Sequence, residues 1–350
     1  MTDLTDLLTT GPIAEVGDQR AGRARAVGTA RFAAAKLGGA LVSLLLVVVL
    51  GFFLFRALPG NPVRGQIDAG AQLNLDQLTK LSAEWHLDKP LFSQFLYYLG
   101  DLAHGRFGTS LKYKEPVGDL IWSRLGPTLL LTGAALLLAL VVGLWLGTRA
   151  AWRHGSRFDQ VSTGTSLVFW SVPTFWLGLI MLMVFSVGLD LFPTAGMTTP
   201  GGVDGFLPGL LDVVHHLTLP AITLAAVTYA QYLMVMRSSL LEEMNADYLT
   251  TARAKGLTDD QVRRRHAVPN ALLPTVTIIF LNTGLLVSGA VTVETVFSWP
   301  GLGLLTFNAI NYPDYPLLQG TMIVLAGTVV VMNVLADVLY RFLDPRVRAA

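Results

Sequence analysis

The sequence contains no cysteine, which excludes disulfide bonds, thiolate nucleophiles and zinc sites built on thiolates. It also contains no Gly-x-x-x-x-Gly-Lys-Ser/Thr motif, so the chain supplies no P-loop of its own for a nucleotide. Charged residues are scarce, at 14% of the chain, and the net charge of +1 gives no basis for nucleic-acid binding. Any activity driven by ATP therefore requires a partner.

Hydrophobic residues make up 52% of the 350 residues, and the mean hydropathy is +0.54. These values are typical of a polytopic membrane protein with little room for a large soluble domain. Six apolar stretches are long enough to cross a bilayer as helices. They lie at about residues 32–58, 127–148, 161–187, 218–236, 273–293 and 317–340. The sequence therefore predicts an all-α membrane protein with six transmembrane helices, and Pro173 predicts a kink in the third.

The distribution of basic residues predicts the orientation. No Lys or Arg occurs from residue 158 to 236 or from residue 266 to 340, and each tract contains two predicted spans with their loop. Basic residues gather in the N-terminal tail, the loop 149–157, the segment 241–270 and the C-terminus. By the positive-inside rule these four regions face the cytoplasm. We therefore expect a multi-pass protein of the cytoplasmic (inner) cell membrane with both termini in the cytoplasm.

These predictions divide the chain into five parts. They are a cytoplasmic tail (1–31), a first transmembrane helix (32–58), an extracytoplasmic insertion (59–125), a five-helix permease core (126–342) and a cytoplasmic tail (343–350). Apolar stripes in the insertion predict two amphipathic helices, one up to Trp85 and one that begins at Pro90 and buries Phe95. Gln94 is expected on the polar face of the second helix.

The most charged part of the second half of the chain has the pattern of two short helices. Good helix formers run from Asp247 to Lys255, and Gly256 follows where a helix end favours a left-handed residue. Thr258 and Gln261 have the spacing of a capping box for the next helix. We predict a projecting knob, defined here as residues 247–270. An ordinary loop between two spans is the alternative interpretation.

The knob resembles the cytoplasmic signature of the permease subunits of ABC importers. That signature reads Glu-Ala-Ala, three residues, Gly, nine residues and Ile-x-Leu-Pro. Gly256 and Pro269 match its Gly and Pro, whereas its Glu and Ile are absent here. Asp247-Tyr-x-x-Thr-Ala-Arg-Ala-Lys-Gly-Leu, followed by Asn270-Ala-Leu-Leu-Pro, is similar to the dipeptide, oligopeptide and nickel branch of these permeases. In that family the knob docks into a groove on a separate ATPase subunit.

Other strings resemble the same branch, and together they extend the resemblance over roughly residues 32–348. They are Leu58-Pro-Gly-Asn-Pro, Ser171-Val-Pro-Thr-Phe-Trp-Leu-Gly, Glu294-Thr-Val-Phe-Ser-Trp-Pro-Gly-Leu-Gly and Asp344-Pro-Arg. The resemblance implies a type I ABC importer permease fold with a helical insertion between spans 1 and 2. It also implies a sister permease, two ATP-binding subunits that hold ATP and Mg, and an extracytoplasmic substrate-binding protein. This chain would hold no cofactor and would not be an enzyme.

Three groups of candidate site residues follow. The resemblance gives an ATPase-coupling group: Asp247, Tyr248, Thr251, Ala252, Arg253, Ala254, Lys255, Gly256 and Leu257. Polar side chains within the predicted spans are expected to face the bundle interior and give a possible translocation path: Gln231, Asn282, Ser288 and Asn333. The last loop gives a possible contact for the binding protein, or an external gate: Glu294, Phe297, Trp299 and Pro300. That loop is either a flexible cap or a re-entrant element buried in protein.

Several features have simpler interpretations. The small-residue stripe Gly284, Ser288 and Thr292 favours packing within the subunit over pore lining. Asp337 and Arg341 are spaced to pair with each other near the end of the sixth span. His215 and His216 point in different directions on a helix, and no third ligand is expected to complete a metal site, so we interpret them as interfacial histidines.

The leading functional hypothesis is a permease subunit that forms half of a pathway for di- or oligopeptides and couples it to ATPase subunits. The same importer type for nickel, haem or another small solute is the alternative. A secondary transporter or channel would need ionisable relay groups within the spans, and away from the span ends the six predicted spans contain none. A membrane scaffold would leave the resemblance over most of the chain unexplained.

Overall fold

A computed structural model describes residues 34–54, 86 and 88–343, and for parts of two long helices (mainly 280–289 and 338–343) it describes the backbone alone. The described residues form helices and no β-strand. The helices are α1 (Ala34–Leu54), α2 (Leu91–Ala103), α3 (Val117–Trp152), α4 (Arg157–Ser171), α5 (Thr174–Met181), α6 (Phe206–Glu243), α7 (Asp247–Ala254), α8 (Asp259–Val262), α9 (Val268–Val296), α10 (Leu302–Asn311) and α11 (Tyr315–Leu343). A π-helical segment continues α5 (Leu182–Gly188), and another joins α8 to α9 (Arg263–Ala267).

Four helices of the described chain are long and apolar enough to cross a membrane, namely α1, α3, α6 and α11. The number rises to five if the bent pair α4 and α5 counts as one span. The predicted fifth span falls in α9, a helix of 29 residues that is not among these. The all-helical, multi-span architecture is confirmed, whereas the number six stays a prediction. The first predicted amphipathic helix, up to Trp85, and the strings at Leu58 and Asp344 lie outside the described residues.

The break in the third predicted span is much sharper than a kink. The axes of α4 and α5, with its π-helical continuation, differ by 101°. Val172 ends α4 in an extended conformation, with ψ of 128°, and Pro173 precedes the first residue of α5. A residue before proline is pushed out of the helical region, so the sequence correctly locates the break.

Small side chains on α3 allow its closest contact with α6. A Cβ atom on Gly147 would lie 2.6 Å from the carbonyl oxygen of Leu233, and one on Gly143 would lie 2.8 Å from that of Tyr229. Helix backbones approach this closely only where side chains are minimal. The buried small residues recur every four positions: Ala135, Ala139, Gly143, Gly147 and Ala151. This stripe was not predicted from the sequence. The predicted one lies at residues 284–292, where the side chains of 284 and 288 are not described.

Helix α2 packs its aromatic side chains against the end of α1. The Phe52 ring lies 5.2 Å from Phe95 and 5.3 Å from Tyr98, measured between centroids. The expectation that Gln94 lies on the polar face of this helix is wrong. Its side chain is buried, and its amide nitrogen donates to the Lys89 carbonyl at 2.8 Å. A polar side chain can lie inward where a backbone carbonyl accepts its hydrogen bond.

Two carboxylates connect distant parts of the chain. The buried Asp314 accepts hydrogen bonds from the Ser110 hydroxyl at 2.6 Å and the Leu111 N–H at 2.9 Å, which ties the segment before α3 to the segment before α11. Asp337 of α11 pairs with Lys36 of α1, with the Nζ and Oδ2 atoms 2.7 Å apart. The sequence-based partner for Asp337 was Arg341, whose side chain is not described.

Candidate functional site at the knob

The knob is two short helices joined by a tight turn, as predicted. Gly256 has a φ of +86°, and its N–H donates to the Arg253 carbonyl at 2.9 Å. The Leu257 N–H donates to the Ala252 carbonyl at 3.3 Å, which completes a Schellman motif at the end of α7. The side chain and backbone of Thr258 exchange hydrogen bonds with those of Gln261 in a capping box. Both ends of the turn are therefore fixed by local hydrogen bonds.

The knob rests on the rest of the chain through a small apolar core. Leu249 of α7 and Val262 of α8 are completely buried, and both pack with Met236 and Leu240 of α6. Ala252 belongs to the same cluster and is 6% exposed. Its side chain therefore faces the protein's own core and does not offer a surface to a docking partner. Ala252, predicted among the ATPase-coupling residues, therefore packs within this chain and helps to hold α7 in place.

Ion pairs cover part of the knob's charged surface. Arg253 Nε lies 3.1 Å from Asp259 Oδ1, which links the two helices across the turn. Asp260 pairs with both Arg263 and Arg264. Lys255 and Arg265 are exposed, and no acidic side chain of the described chain lies within ion-pair distance of either.

Tyr248 connects the start of the knob with its end. Its hydroxyl donates to the Glu243 carboxylate at the end of α6 and accepts a hydrogen bond from the Asn270 amide at 2.8 Å. Burial, followed by the hydrogen bond to the Glu243 carboxylate, raises the pKa of the Tyr248 phenol. The phenol thus remains a neutral donor near neutral pH and holds α6, α7 and α9 together.

The exposed face of the knob consists mainly of polar and small residues. It includes Asp247, Thr250, Thr251, Arg253, Ala254, Lys255 and Gly256. Ala252 is buried and Leu257 is half-buried, and both pack in the protein's own core. Six of the nine predicted coupling residues belong to the exposed group just given.

 A seventh predicted coupling residue, Tyr248, is 37% exposed, although its hydroxyl is hydrogen-bonded to Glu243 and Asn270. The exposed surface of the knob is therefore polar, whereas its apolar side packs against the rest of the chain.

The structure describes the side chains of two of the four candidate translocation residues, Gln231 and Asn333. Gln231 is half-buried in α6, and Asn333 is exposed on α11. Asn333 therefore does not pack within this chain, and its place in a translocation path stays a prediction. The side chains of Asn282 and Ser288 lie outside the described part of α9.

The last turn of α9 and the loop that follows it are largely buried and do not form an exposed cap. Glu294 and Trp299 are completely buried, Phe297 is 2% exposed, and Pro300 is half-buried. The Trp299 indole N–H donates to the Pro127 carbonyl at 2.9 Å. Direct contact with an external protein is thus not open to the first three side chains in this conformation. Of the two interpretations of this loop, burial favours the re-entrant one.

Glu294 holds this loop in place. Its Oε1 accepts a hydrogen bond from the Thr128 hydroxyl of α3 at 2.7 Å, and its Oε2 accepts one from the Leu304 N–H of α10 at 3.0 Å. Any Cβ on Gly301 would overlap the Glu294 carboxylate, so only glycine fits beside it. The buried carboxylate therefore connects α3, α9 and α10.

The two adjacent histidines make separate hydrogen bonds. His215 Nε2 lies 2.8 Å from the Leu191 carbonyl oxygen. His216 Nδ1 lies 2.9 Å from the Asp212 carbonyl oxygen and 3.4 Å from its Oδ1. Asp212 was not predicted as a partner of His216, although the spacing of four residues between them is visible in the sequence. Among the described residues, no group of three or more His, Cys, Asp or Glu side chains could hold a metal ion.

Comparison with known proteins gives relatives along most of the chain. The family described as "Binding-protein-dependent transport system inner membrane component" matches residues 119–349, and its N-terminal counterpart matches residues 29–132. A putative peptide permease protein of Brucella suis biovar 1 is 40% identical over 306 residues, which covers 87% of this chain and 95% of the relative. The dipeptide transport system permease protein DppB of Escherichia coli K12 is 37% identical over 339 residues, which covers 91% of this chain and 98% of the relative. The oligopeptide transport system permease protein AppB of Bacillus subtilis is 39% identical over 306 residues, which covers 87% of this chain and 95% of the relative.

A solved structure shares the fold. A chain of the MetNI methionine ABC transporter, in an inward-facing conformation, matches with a TM-score of 0.52 at 18% sequence identity and covers 64% of this chain and 96% of its own. At this identity the likeness concerns the fold alone. The family match over residues 119–349 and the relatives of nearly full length lead to one conclusion. The chain belongs to the family of binding-protein-dependent transport system inner membrane components.

Proposed function

We propose that the chain is one of two permease subunits of an ATP-driven ABC importer for peptides. The observation that carries the proposal is the knob, whose two helices are fixed to each other and to α6 while a polar face stays exposed. A rigidly held element with an exposed polar face can serve as a binding surface for a separate protein. The names of the relatives, which refer to dipeptide and oligopeptide transport, support peptides as the substrate class.

The proposed mechanism uses partners for all of the covalent chemistry. Two ATP-binding subunits bind ATP and Mg and hydrolyse the ATP, and each holds one knob of the permease pair. Closure of these subunits moves the knobs and converts the cavity shared with the sister permease from inward-facing to outward-facing. An extracytoplasmic binding protein then delivers the peptide. In this proposal the knob and the chain termini face the cytoplasm.

Reconstitution tests the proposal directly. The chain is co-expressed with its sister permease and ATPase subunits, and the complex is placed in liposomes with the matching binding protein. We expect uptake of labelled di- or oligopeptide that requires ATP and the binding protein, while nickel and haem are not taken up. Liposomes with an ion gradient and no ATP are the control. Peptide uptake driven by the gradient alone would contradict the proposal and favour a secondary transporter.

A further inference from the structure

A buried ion pair joins the start of α4 to α6, and no role given above uses it. Asp159 is 3% exposed. Its Oδ1 and Oδ2 accept hydrogen bonds from Nε and Nη2 of Arg237 at 2.6 and 2.8 Å. The Gly155 N–H donates to Oδ2 at 3.0 Å, so the carboxylate also fixes the loop between α3 and α4. His154 lies beside both partners, with its Nδ1 3.2 Å from Asp159 Oδ2 and 3.1 Å from Arg237 Nη2.

The ion pair lies directly beside the apolar cluster on which the knob rests. Arg237 follows Met236 on α6, and both Met236 and Leu240 pack against Leu249 of the knob. Ala151, at the end of α3, belongs to the same apolar cluster. The knob, this end of α6 and the loop between α3 and α4 therefore form one packed body.

The two hydrogen bonds of the ion pair fix the relative orientation of α4 and α6 as well as the distance between them. The planar guanidinium of arginine binds a carboxylate through two parallel hydrogen bonds, which orients the two helices that carry them. A buried ion pair is weak evidence for stability, and in some proteins it fixes one particular arrangement of the helices it joins. Helix α4, which begins beside the pair, leads to the 101° bend into α5.

We propose that the Asp159–Arg237 pair is the positioning link through which movement of the knob reaches the bent helices α4 and α5. The inference rests on the proposed function, since it assumes that a partner moves the knob. Without the pair, α6 and the knob would still move together through their apolar core. Helix α4 would follow less completely, so that ATP would be hydrolysed without a full change of the transport pathway.

The test compares peptide imported per ATP hydrolysed in reconstituted complexes. We expect this ratio to fall by roughly fivefold or more in Asp159→Asn, the lower end of typical coupling between sites. Arg237→Lys keeps the charge and loses the two-point contact, so we expect a smaller fall. Asp101→Asn removes the exposed pair between Asp101 and Arg106, outside the knob, and should leave the ratio unchanged.

A double variant, Asp159→Cys with Arg237→Cys, leaves no unpaired buried charge and guards against misfolding of the single variants. This otherwise cysteine-free chain allows the two positions to be joined by a short bifunctional methanethiosulfonate reagent. We expect the ratio to be low before treatment, to recover with the bifunctional reagent, and to stay low with a monofunctional one. The unmodified chain, treated in the same way, controls for cysteines in the partner subunits.

The outcomes separate this inference from the proposed function. If the unmodified complex imports peptide but the ratio is unchanged in all variants, the inference alone falls. If peptide uptake and ATP hydrolysis fell together at a constant ratio, the pair would have a purely structural role, and this result would also overturn the inference. If the unmodified complex shows no ATP-dependent peptide uptake, the proposed function falls, and the inference falls with it.

Discussion

Gly256 is the residue at which backbone conformation and the proposed function meet. Its φ of +86° is readily adopted only by glycine, and a Cβ there would meet no neighbouring atom within 4 Å. The cost of a β-branched residue is therefore one of backbone strain, on the order of 1 kcal/mol or more. We expect Gly256→Val to reach the membrane at near-normal abundance and to import less peptide per ATP hydrolysed.

Asparagine gives the matched control for this prediction, because it tolerates the left-handed conformation better than other non-glycine residues. Gly256→Asn should retain most of the coupling that Gly256→Val loses. Membrane abundance, binding-protein-stimulated ATPase activity and peptide uptake are measured for both variants. Full coupling in Gly256→Val would show that the turn is an ordinary loop.

Ala252 and Ala254 provide a second test, because the structure places them on opposite sides of α7. Ala252 is 6% exposed within the apolar core, whereas Ala254 is exposed. Ala252→Trp should displace that core and make the knob sensitive to protease, because overpacking a core costs about 1–3 kcal/mol. Ala254→Trp should leave the knob resistant and weaken copurification of the ATPase subunits. Equal protease sensitivity in the two variants would contradict the burial of Ala252.

The sequence predicts the knob's turn but not the direction of its side chains. Gly256, Thr258 and Gln261 act through neighbours within a few positions, so their roles can be inferred from spacing alone. The inward direction of Ala252 depends on Met236 and Leu240, which belong to another helix. A helix of eight residues is too short for its periodicity to reveal which face is covered.

At the scale of helices, the contact between α3 and α6 depends on glycine at two positions. Gly147→Ala would place a methyl group 2.6 Å from the Leu233 carbonyl oxygen, so the helices must move apart. We expect a loss of about 1–3 kcal/mol of stability and a lower Tm of the purified protein. Gly133→Ala on the same helix, where a Cβ meets no atom within 4 Å, should not lower the Tm. A similar Tm for both variants would contradict the close approach.

The spacing of four residues between small side chains was sufficient to find this contact from the sequence, and it was overlooked. The bend between α4 and α5 is a different case. Pro173 determines where the helix stops, but the angle of 101° depends on what α5 then packs against. Gly178 of α5, for example, lies close to Val296 and Phe297, more than 100 positions along the chain. Local sequence cannot contain that information.

Across the whole molecule, the buried carboxylates were hardest to predict. Asp159 bonds to Arg237, Glu294 to Thr128 and Asp314 to Ser110, and these pairs are 78, 166 and 204 positions apart. A single sequence shows that a carboxylate is present but not which distant group satisfies it. The family and the helical architecture were predictable because composition and several motifs, spread over most of the chain, agree with each other.

The orientation of the whole molecule in the membrane is predicted by its basic residues and can be measured. Asp204 and Asp259 are both exposed, and they lie on opposite sides of the membrane in the predicted topology. Because the chain has no cysteine, single Asp204→Cys and Asp259→Cys variants each carry one thiol. In intact cells an impermeant thiol reagent should label the first variant and not the second, while permeabilised cells should show labelling of both. Labelling of position 259 with protection of position 204 would reverse the orientation and would place the knob away from any cytoplasmic ATPase.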